Sequence, residues 1–311
     1  MAPLPYLQEK QMKRSRASHF HTQRRWNYLL AVPGILFMVL MILVPIVSNL
    51  IMSFQNVSLM NFASGERSFV VFDNYAKLFQ SEVFFIALKN TLYFTFWCLL
   101  FQFPIGFAMA LFFSKKFRLA GFLRGFNLVA WMLPMVAVAG VYKFMFNGDV
   151  GIINHLLVSV GLVDAPIQWL SNVDSAMTSV IVANVWKGVP FNMLLLATAL
   201  TTLPTDIYEA AEIDGATTVQ RFVHITLPLL KPAILSVLTL GFIYTFKVFD
   251  LVYIMTGGGP GSSTEMLSTL AYRYSFSEYN FSQGAAVSNV LFAVLMIVGV
   301  FYIWLVQKEE Q

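Results

Sequence analysis

Charged side chains are scarce in this sequence. Lysine, arginine, aspartate and glutamate make up 12% of its 311 residues, whereas about 25% is typical of soluble domains. Hydrophobic residues make up 58%, 30 of the residues are phenylalanine, and the mean hydropathy is +0.68. These values exclude an ordinary soluble fold and predict a chain that lies mostly within a membrane.

Cysteine and the common catalytic motifs are also missing. The single cysteine, Cys98, lies in an apolar run, which excludes a disulfide framework and a cysteine-ligated metal site. No Gly-x-x-x-x-Gly-Lys-Ser/Thr sequence occurs, so the chain does not bind ATP through a P-loop. His-Glu-x-x-His and Gly-x-Ser-x-Gly are absent too, and the four histidines are not spaced as ligands. We therefore expect no catalytic residue, no metal and no cofactor in this chain.

Long apolar segments are what the sequence has in abundance. Each is long enough to cross a bilayer as a helix, and they lie at about 28–54, 86–113, 125–146, 176–200, 232–255 and 285–306. The first is too long for a signal peptide and has no small-residue cleavage site, so we expect it to be retained. The predicted fold class is an all-α membrane protein with six transmembrane helices, preceded by a polar tail.

Basic residues lie mainly on one side of these spans. Of the 20 lysines and arginines, six lie in residues 1–27, four in 114–124, two in 205–231 and one at Lys308. Only three lie in the opposite loops, so the positive-inside rule predicts that both termini are cytoplasmic. We expect the tail 1–27 to lie near anionic lipid headgroups, with a nucleic-acid-binding arm as the alternative.

The polar segment 205–231, between the fourth and fifth spans, is predicted to form two short helices joined by a turn. Asp206 and Glu209 have the spacing of a capping box at the start of the first helix. Gly215 stands where that helix ends, since glycine reaches the left-handed conformation that a helix end often needs.

The second short helix has its own start and stop signals. Thr217 and Gln220 repeat the capping-box spacing. Pro228 is expected to end this helix because the residue before a proline is pushed out of the helical region. Pro232, a favoured first helical residue, is then expected to begin the fifth span. The segment is thus predicted to be a compact cytoplasmic elbow.

Seven positions of the elbow fit one pattern: Glu-Ala-Ala, three residues, Gly, nine residues, Ile, one residue, Leu-Pro. They are Glu209, Ala210, Ala211, Gly215, Ile225, Leu227 and Pro228. The pattern resembles the EAA loop of permease subunits in binding-protein-dependent ABC importers. The resemblance implies that the first short helix, with Asp214 at its end, is a coupling helix that docks into a separate ATPase subunit.

Two further motifs narrow this resemblance. Thr256-Gly-Gly-Gly-Pro260 and Ala87-Leu-Lys-Asn-Thr-Leu92 resemble the carbohydrate-uptake branch, which includes the maltose, trehalose and glycerol-3-phosphate permeases. The similarity covers about residues 28–307. By itself, the glycine-rich run after the fifth span is interpreted as a flexible external turn.

The resemblance also implies an assembly. We expect a second, non-identical permease, two ATPase subunits that bind ATP and Mg²⁺, and an extracytoplasmic sugar-binding protein. The expected location is the cytoplasmic (inner) membrane of a bacterium or archaeon, with membrane lipid around the spans and no nucleic-acid partner.

Ionisable residues inside the spans are functional candidates because they are costly there and face the bundle interior. Three partners are open for Lys187: a helix of this or the other permease, carbonyls freed by Pro190, or an anionic substrate group. Lys247 and Asp250 are three residues apart on one predicted helical face. They are either functional or serve only to neutralise each other.

The resemblance implies a substrate pathway through the same spans. Aligned on the Gly-x-Pro and Thr-Gly-Gly-Gly-Pro motifs, the sugar-contacting region of the maltose permease falls on Lys187, Gly188, Phe191, Gly241, Tyr244, Thr245 and Val248. Gly241, Thr245 and Val248 replace serine and asparagine contacts, so the resemblance implies the location of the pathway but does not imply maltose as the substrate.

We therefore predict a permease that carries a sugar by alternating access, with a neutral oligosaccharide favoured over an acidic or phosphorylated sugar. A secondary transporter driven by an ion gradient is one rival, and it would depend on Asp250 as an isolated carboxylate. A channel or scaffold without energy coupling is another, but it leaves the elbow unexplained.

Overall fold

The computed structural model describes residues 30–62, 64–65, 67–115 and 117–309, and these are mostly helical. The basic tail 1–27 and the first residues of the first span lie outside the described residues. Within the described chain, five helices are long and apolar enough to cross a membrane, and a bent helix pair brings the number to six. The predicted all-α class with six spans is therefore confirmed.

The spanning helices and the short helices next to them are labelled in chain order. They are α1 (Leu30–Ser53), α2 (Glu82–Ser114), α3 (Ala120–Met132), α4 (Met135–Met145), α5 (Val173–Thr201), α6 (Thr205–Ile213), α7 (Thr218–Phe246), α8 (Asp250–Met255), α9 (Leu267–Tyr272) and α10 (Phe281–Glu309). Within α1 and α7, single π-helical turns occur at Val39–Leu43 and Phe222–Thr226, and another follows α9 at Arg273–Ser277.

Short elements complete the segments between the spans. Helices form at Leu59–Phe62, Asp73–Gln80 and Ile152–Ser159. Two-residue strands at Gln55–Asn56 and Ser68–Phe69 pair antiparallel, with Gln55 opposite Phe69.

The third span is not the single helix that we predicted over 125–146. Helices α3 and α4 meet at an angle of 93°. Pro134 causes the break because it has no N–H to donate and forces the residue before it out of the helical region. Leu133 and Pro134 accordingly have ψ angles of 139°.

The fifth span also differs from the prediction, at both ends. It does not begin at Pro232, because α7 runs without interruption from Thr218 through Pro228 to Phe246. The wider π-helical turn just before Pro228 accommodates a residue that cannot donate a backbone hydrogen bond. At the other end the chain leaves the helix at Lys247, so the predicted single helix to residue 255 is split into α7 and α8.

Helices α2 and α5 form the centre of the body that begins at Ser53. Their backbones approach closely at Gly106, where an added Cβ would lie 2.5 Å from Cβ of Asn192. Around this crossing, buried apolar side chains from α2, α4, α5 and α8 form one core, and others from α2, α5 and α7 form a second. The crossing fixes the two helices that carry most of the candidate site described next.

Candidate substrate cavity and coupling segment

The turn of the elbow is closed by backbone hydrogen bonds at the end of α6. Ala216 N–H donates to the Ala211 carbonyl (2.9 Å), and Gly215 N–H donates to the Glu212 carbonyl (3.1 Å). This pair of bonds is the Schellman motif, which requires a left-handed residue. Gly215 has φ +78° and supplies it. The role predicted for Gly215 as the helix-ending residue is confirmed.

The start of α7 follows the sequence prediction, whereas the start of α6 does not. Thr217 N–H donates to Oε1 of Gln220 (2.8 Å), and Gln220 N–H donates to Oγ1 of Thr217 (3.3 Å), which completes a capping box. The box predicted for Asp206 and Glu209 is wrong. Helix α6 begins at Thr205, so Asp206 already has helical backbone geometry and does not cap.

The elbow exposes most of the predicted coupling residues. Those exposed are Glu209, Ala210, Asp214, Gly215 and Pro228, whereas Ala211, Ile225 and Leu227 are half-buried. Ile213 is 87% exposed at the end of α6. Contacts with α7 hold α6 in place: the Tyr208 and Thr226 hydroxyl oxygens are 2.9 Å apart, and Arg221 donates to Glu212 (3.1 Å). The elbow therefore combines a fixed backbone with an exposed, partly apolar tip.

A cavity of about 290 Å³ lies among α2, the α3–α4 break, α5 and α7. Its lining is Gln102, Trp131, Met135, Asn184, Lys187, Gly188, Phe191, Asn192, Gly241, Tyr244 and Thr245. Six of the nine predicted pathway residues are in this lining, and α5 and α7 supply all six. The structure thus brings them together around one space.

Aromatic rings form much of the cavity wall. Trp131 and Phe191 are stacked, with their ring centroids 5.8 Å apart and an angle of 27° between their planes. Phe191 in turn meets Tyr244 edge to face at 5.6 Å. Large apolar faces with a few polar groups between them are typical of small-molecule sites.

Three buried amide side chains provide polar groups that the sequence analysis missed. Gln102 donates to the Asn184 backbone carbonyl (2.9 Å), and Asn192 donates to that of Gly188 (2.9 Å). No described group donates to the Asn192 Oδ1. Gln102 packs so closely on Gly188 that any side chain there would overlap it. Amides within otherwise apolar spans were the signal that could have identified them.

Lys187 is the middle residue of the 29-residue helix α5. Its ammonium group donates to three backbone carbonyls at the end of α3, those of Ala130 (3.2 Å), Trp131 (2.5 Å) and Leu133 (2.5 Å). Of the three partners left open by the sequence, the structure shows a helix of this chain. Pro134, and not Pro190, is the proline beside these carbonyls.

The other three predicted pathway residues lie outside the cavity lining. Val248 is buried in the core that includes Leu251. Lys247 is exposed and lies over the Tyr244 ring, with Nζ 5.5 Å from its centroid. The predicted pairing of Lys247 with Asp250 does not form, because the helix breaks between them and no ion pair joins these two described residues.

The glycine-rich loop after α8 is fixed in place, and the interpretation as a flexible turn is wrong. Asn90 of α2 donates to the backbone carbonyls of Ser262 (3.0 Å) and Glu265 (3.1 Å). Thr91 Oγ1 accepts from Leu267 N–H (2.9 Å). Asn90 and Thr91 belong to the second carbohydrate-branch motif, so that motif contacts the segment that follows the Thr256-Gly-Gly-Gly-Pro260 motif.

Glu265 anchors the same loop from within. Its carboxylate is almost fully buried and accepts from Arg273 (2.6 Å) and Thr269 (2.6 Å). Burial raises the pKa of the Glu265 carboxyl above its usual value, while the bonds from Thr269 and Arg273 act in the opposite direction. The loop is therefore held by side chains from α2, α9 and the turn that follows α9.

Several apolar spans, a cavity among α2, α3, α4, α5 and α7, and an exposed elbow are the features of a polytopic membrane transport subunit. The chain belongs to the family of binding-protein-dependent transport system inner membrane components, whose model matches residues 102–308. The predicted membership of this permease family is confirmed.

Two relatives are named as sugar permeases. The trehalose/maltose transport system permease protein MalF of Thermococcus litoralis is 32% identical over 284 residues, which is 91% of this chain and 94% of the relative. The diacetylchitobiose uptake system permease protein DasB of Streptomyces coelicolor is 32% identical over 286 residues, 91% and 87% of the two chains.

Solved structures show the same fold. One is a bacterial ABC transporter that imports the acidic polysaccharide alginate; its chain has a TM-score of 0.80 at 23% identity, over 94% of this chain and 99% of that one. A second is an alginate transporter in complex with a periplasmic protein that holds an alginate pentasaccharide, with a TM-score of 0.77 at 23% identity, over 90% and 93%.

Proposed function

We propose that this chain is one of two non-identical permeases of an ATP-driven importer that moves a neutral oligosaccharide into the cytoplasm. Two ATPase subunits would bind ATP and Mg²⁺, and an extracytoplasmic binding protein would deliver the sugar. Both termini and the elbow would lie in the cytoplasm, in agreement with the distribution of basic residues.

The observation that carries this proposal is the lining of the cavity. Aromatic faces beside amide groups suit a ligand that has both C–H faces and hydroxyl groups. Lys187 is the one charged residue among the lining residues that the structure describes, and carbonyls of α3 already take up its donors. A neutral ligand therefore fits this surface better than an anionic one.

The names of relatives support the sugar class. Trehalose, maltose and diacetylchitobiose appear in the names of the two relatives described above. The alginate importer, which shares the fold, is the counterexample that keeps an acidic sugar as the second candidate. In this chain Lys247, which lies over Tyr244 beside the cavity, is the residue that favours the second candidate.

The elbow connects directly to α5 and α7, the two helices that carry the predicted pathway residues, so its movement could couple ATP hydrolysis to transport. Helix α5 carries Lys187, Gly188 and Phe191 and ends at Thr201, directly before the elbow. Helix α7 begins in the elbow and carries Gly241, Tyr244 and Thr245. At about 1.5 Å per residue, the elbow end of α7 lies roughly 35 Å from the cavity along one unbroken helix. An ATPase that moves the elbow would therefore move both walls of the cavity, as alternating access requires.

The test is transport by the purified complex in proteoliposomes. We expect uptake to need ATP, the ATPase subunits and the binding protein, and to be faster for neutral oligosaccharides than for acidic ones. Uptake by this chain without an ATPase, driven by an ion gradient, would contradict the proposal.

One substitution decides the charge of the substrate. Lys247→Gln removes one positive charge beside the cavity and keeps a hydrogen-bond donor. If the sugar is neutral, Lys247→Gln leaves uptake within about threefold of wild type, because an exposed charge contributes little to binding a neutral ligand. A loss of affinity near a hundredfold with Lys247→Gln, relieved for a neutral analogue, would identify an acidic sugar.

A further inference from the structure

The break in the third span leaves three backbone carbonyls without their usual helical partners. Pro134 has no N–H, so it cannot bond the carbonyl of Ala130 four residues earlier. The chain is extended at Leu133 and Pro134, so the Trp131 carbonyl also loses its place in a continuous helix. Ala137 and Val138 donate to Pro134, which leaves the Leu133 carbonyl unused by α4.

Lys187 bonds these three carbonyls, those of Ala130, Trp131 and Leu133. An ammonium group has three N–H donors, so all of them are engaged. Its positive charge also lies at the C-terminal end of α3, where the helix dipole favours a cation. Unpaired carbonyls are costly in the apolar part of a membrane, and Lys187 removes that cost at the break.

The same turn of α5 holds Trp131 at a second point. Phe191 is four residues after Lys187, so both side chains project from one face of α5. Lys187 bonds the Trp131 backbone, and Phe191 stacks on the Trp131 ring at 5.8 Å. Trp131 is part of the cavity lining. Its position in the wall therefore depends on both contacts from α5.

From this geometry we infer that Lys187 is a positioning residue that acts through Trp131 and does not donate to the sugar. It ends α3 at the break and sets the place of the Trp131 ring, which is the surface that the substrate meets. This inference rests on the proposed function, since it assigns how one wall of the proposed sugar cavity is held.

A double-mutant cycle with the intact transport complex tests it. We compare KM and maximal uptake rate for Lys187→Met, Trp131→Ala and the combined variant, with the same neutral oligosaccharide. If Lys187 acts through Trp131, each single variant raises KM about tenfold and the combined variant also raises it about tenfold, because the second change removes nothing further. An approximately additive effect, near a hundredfold, would show that Lys187 contacts the sugar independently and would overturn the inference.

Lys143→Met is the matched control. Lys143 also lies in a spanning helix and donates to a backbone carbonyl, that of Ile254 (2.9 Å), but it is not in the cavity lining. We expect its KM to stay within about twofold of wild type, since it does not position the wall. A rise as large as that of Lys187→Met would mean that any loss of a lysine–carbonyl bond impairs transport, and would overturn the specific role.

A second variant keeps the inference testable if Lys187→Met does not assemble. Lys187→Gln retains two donors, and the same cycle with Trp131→Ala is then measured. Basal ATP hydrolysis by the complex serves as the check on assembly. A complex that hydrolyses ATP but carries no sugar contradicts the proposed function, whereas sugar uptake with additive effects of Lys187 and Trp131 contradicts only the positioning role.

Discussion

The elbow and the cavity are stabilised in opposite ways. In the elbow, each turn closes its own hydrogen bonds within a few residues, as Gly215 with Glu212 and Thr217 with Gln220 show. In the cavity, two of the polar side chains bond another helix, Lys187 to α3 and Gln102 to α5, and of the three only Asn192 bonds within its own helix, at Gly188. The elbow can therefore move as a rigid piece, whereas the cavity keeps its shape only while its helices keep their places.

Replacing Gly215 by valine is the strongest test of the rigid elbow. A β-branched residue is strained at φ +78°, so the Schellman turn should open and α6 should lose its place. We expect sugar uptake and sugar-stimulated ATP hydrolysis to fall more than about a hundredfold, because misplaced interactions of a few kcal/mol correspond to that factor.

The control for this change is Gly121→Val. Gly121 lies in α3 and has open space where a side chain would project, so we expect uptake close to wild type. Wild-type uptake and sugar-stimulated ATP hydrolysis in Gly215→Val would show that the Schellman turn is not needed for coupling. That result would contradict the rigid elbow that is contrasted here with the cavity.

Replacing Gly188 by leucine tests the cavity and should have a smaller effect. The new side chain would overlap Gln102 and displace it from the Asn184 carbonyl, so the space for the ligand shrinks. We expect KM to rise about thirtyfold while basal ATP hydrolysis is unchanged, which is typical of lost binding with the machinery intact.

Gly140→Leu, in α4, is the comparison for that change, because nothing in the described chain lies within 4 Å of a Cβ there. If Gly188→Leu instead lowered basal ATP hydrolysis and left KM untouched, the cavity would be part of the coupling path and not the site of binding.

Replacing Thr217 by alanine tests a single hydrogen bond of the elbow and should have the smallest effect of the three substitutions. Loss of one N-cap hydrogen bond costs about 1 kcal/mol, and the rest of α7 continues to hold the elbow. We expect a small fall in the melting temperature and uptake within about threefold of wild type. Thr218→Ala, one residue along, removes a side chain that makes no capping bond and should leave both values unchanged. Equal effects of the two substitutions would show that the cap at Thr217 contributes nothing.

The contrast also explains which features could be predicted from the sequence. Gly215 and the Thr217 capping box depend on neighbours within six residues, and both predictions are confirmed. The Lys187 partner lies more than 50 residues away, so the sequence left three alternatives open. Nothing local to Lys187 indicates that Pro134 breaks another helix beside it.

The incorrect predictions arise for the same reason, because they used local sequence signals where distant parts of the chain decide the structure. Locally, Pro228 favours a helix end and Pro232 favours a helix start, but a π-helical turn and the packing of α7 outweigh both preferences. Asp206 has the correct spacing for a cap, yet the helix begins one residue before it. Six of the predicted pathway residues came together because they lie on two helices that cross the same space, whereas Val248 fell after the break that follows Phe246.

Helix α2 connects the glycine-rich loop to the cavity. Asn90 near its outer end holds the glycine-rich loop, and Gln102 further along reaches the cavity, roughly 18 Å away at 1.5 Å per residue. The glycine-rich loop and the elbow are thus each joined to the cavity by one continuous helix, α2 for the loop and α7 for the elbow. In the proposed importer, a movement of the loop or of the elbow would therefore reach the cavity along a helix, without any contact between the loop and the elbow.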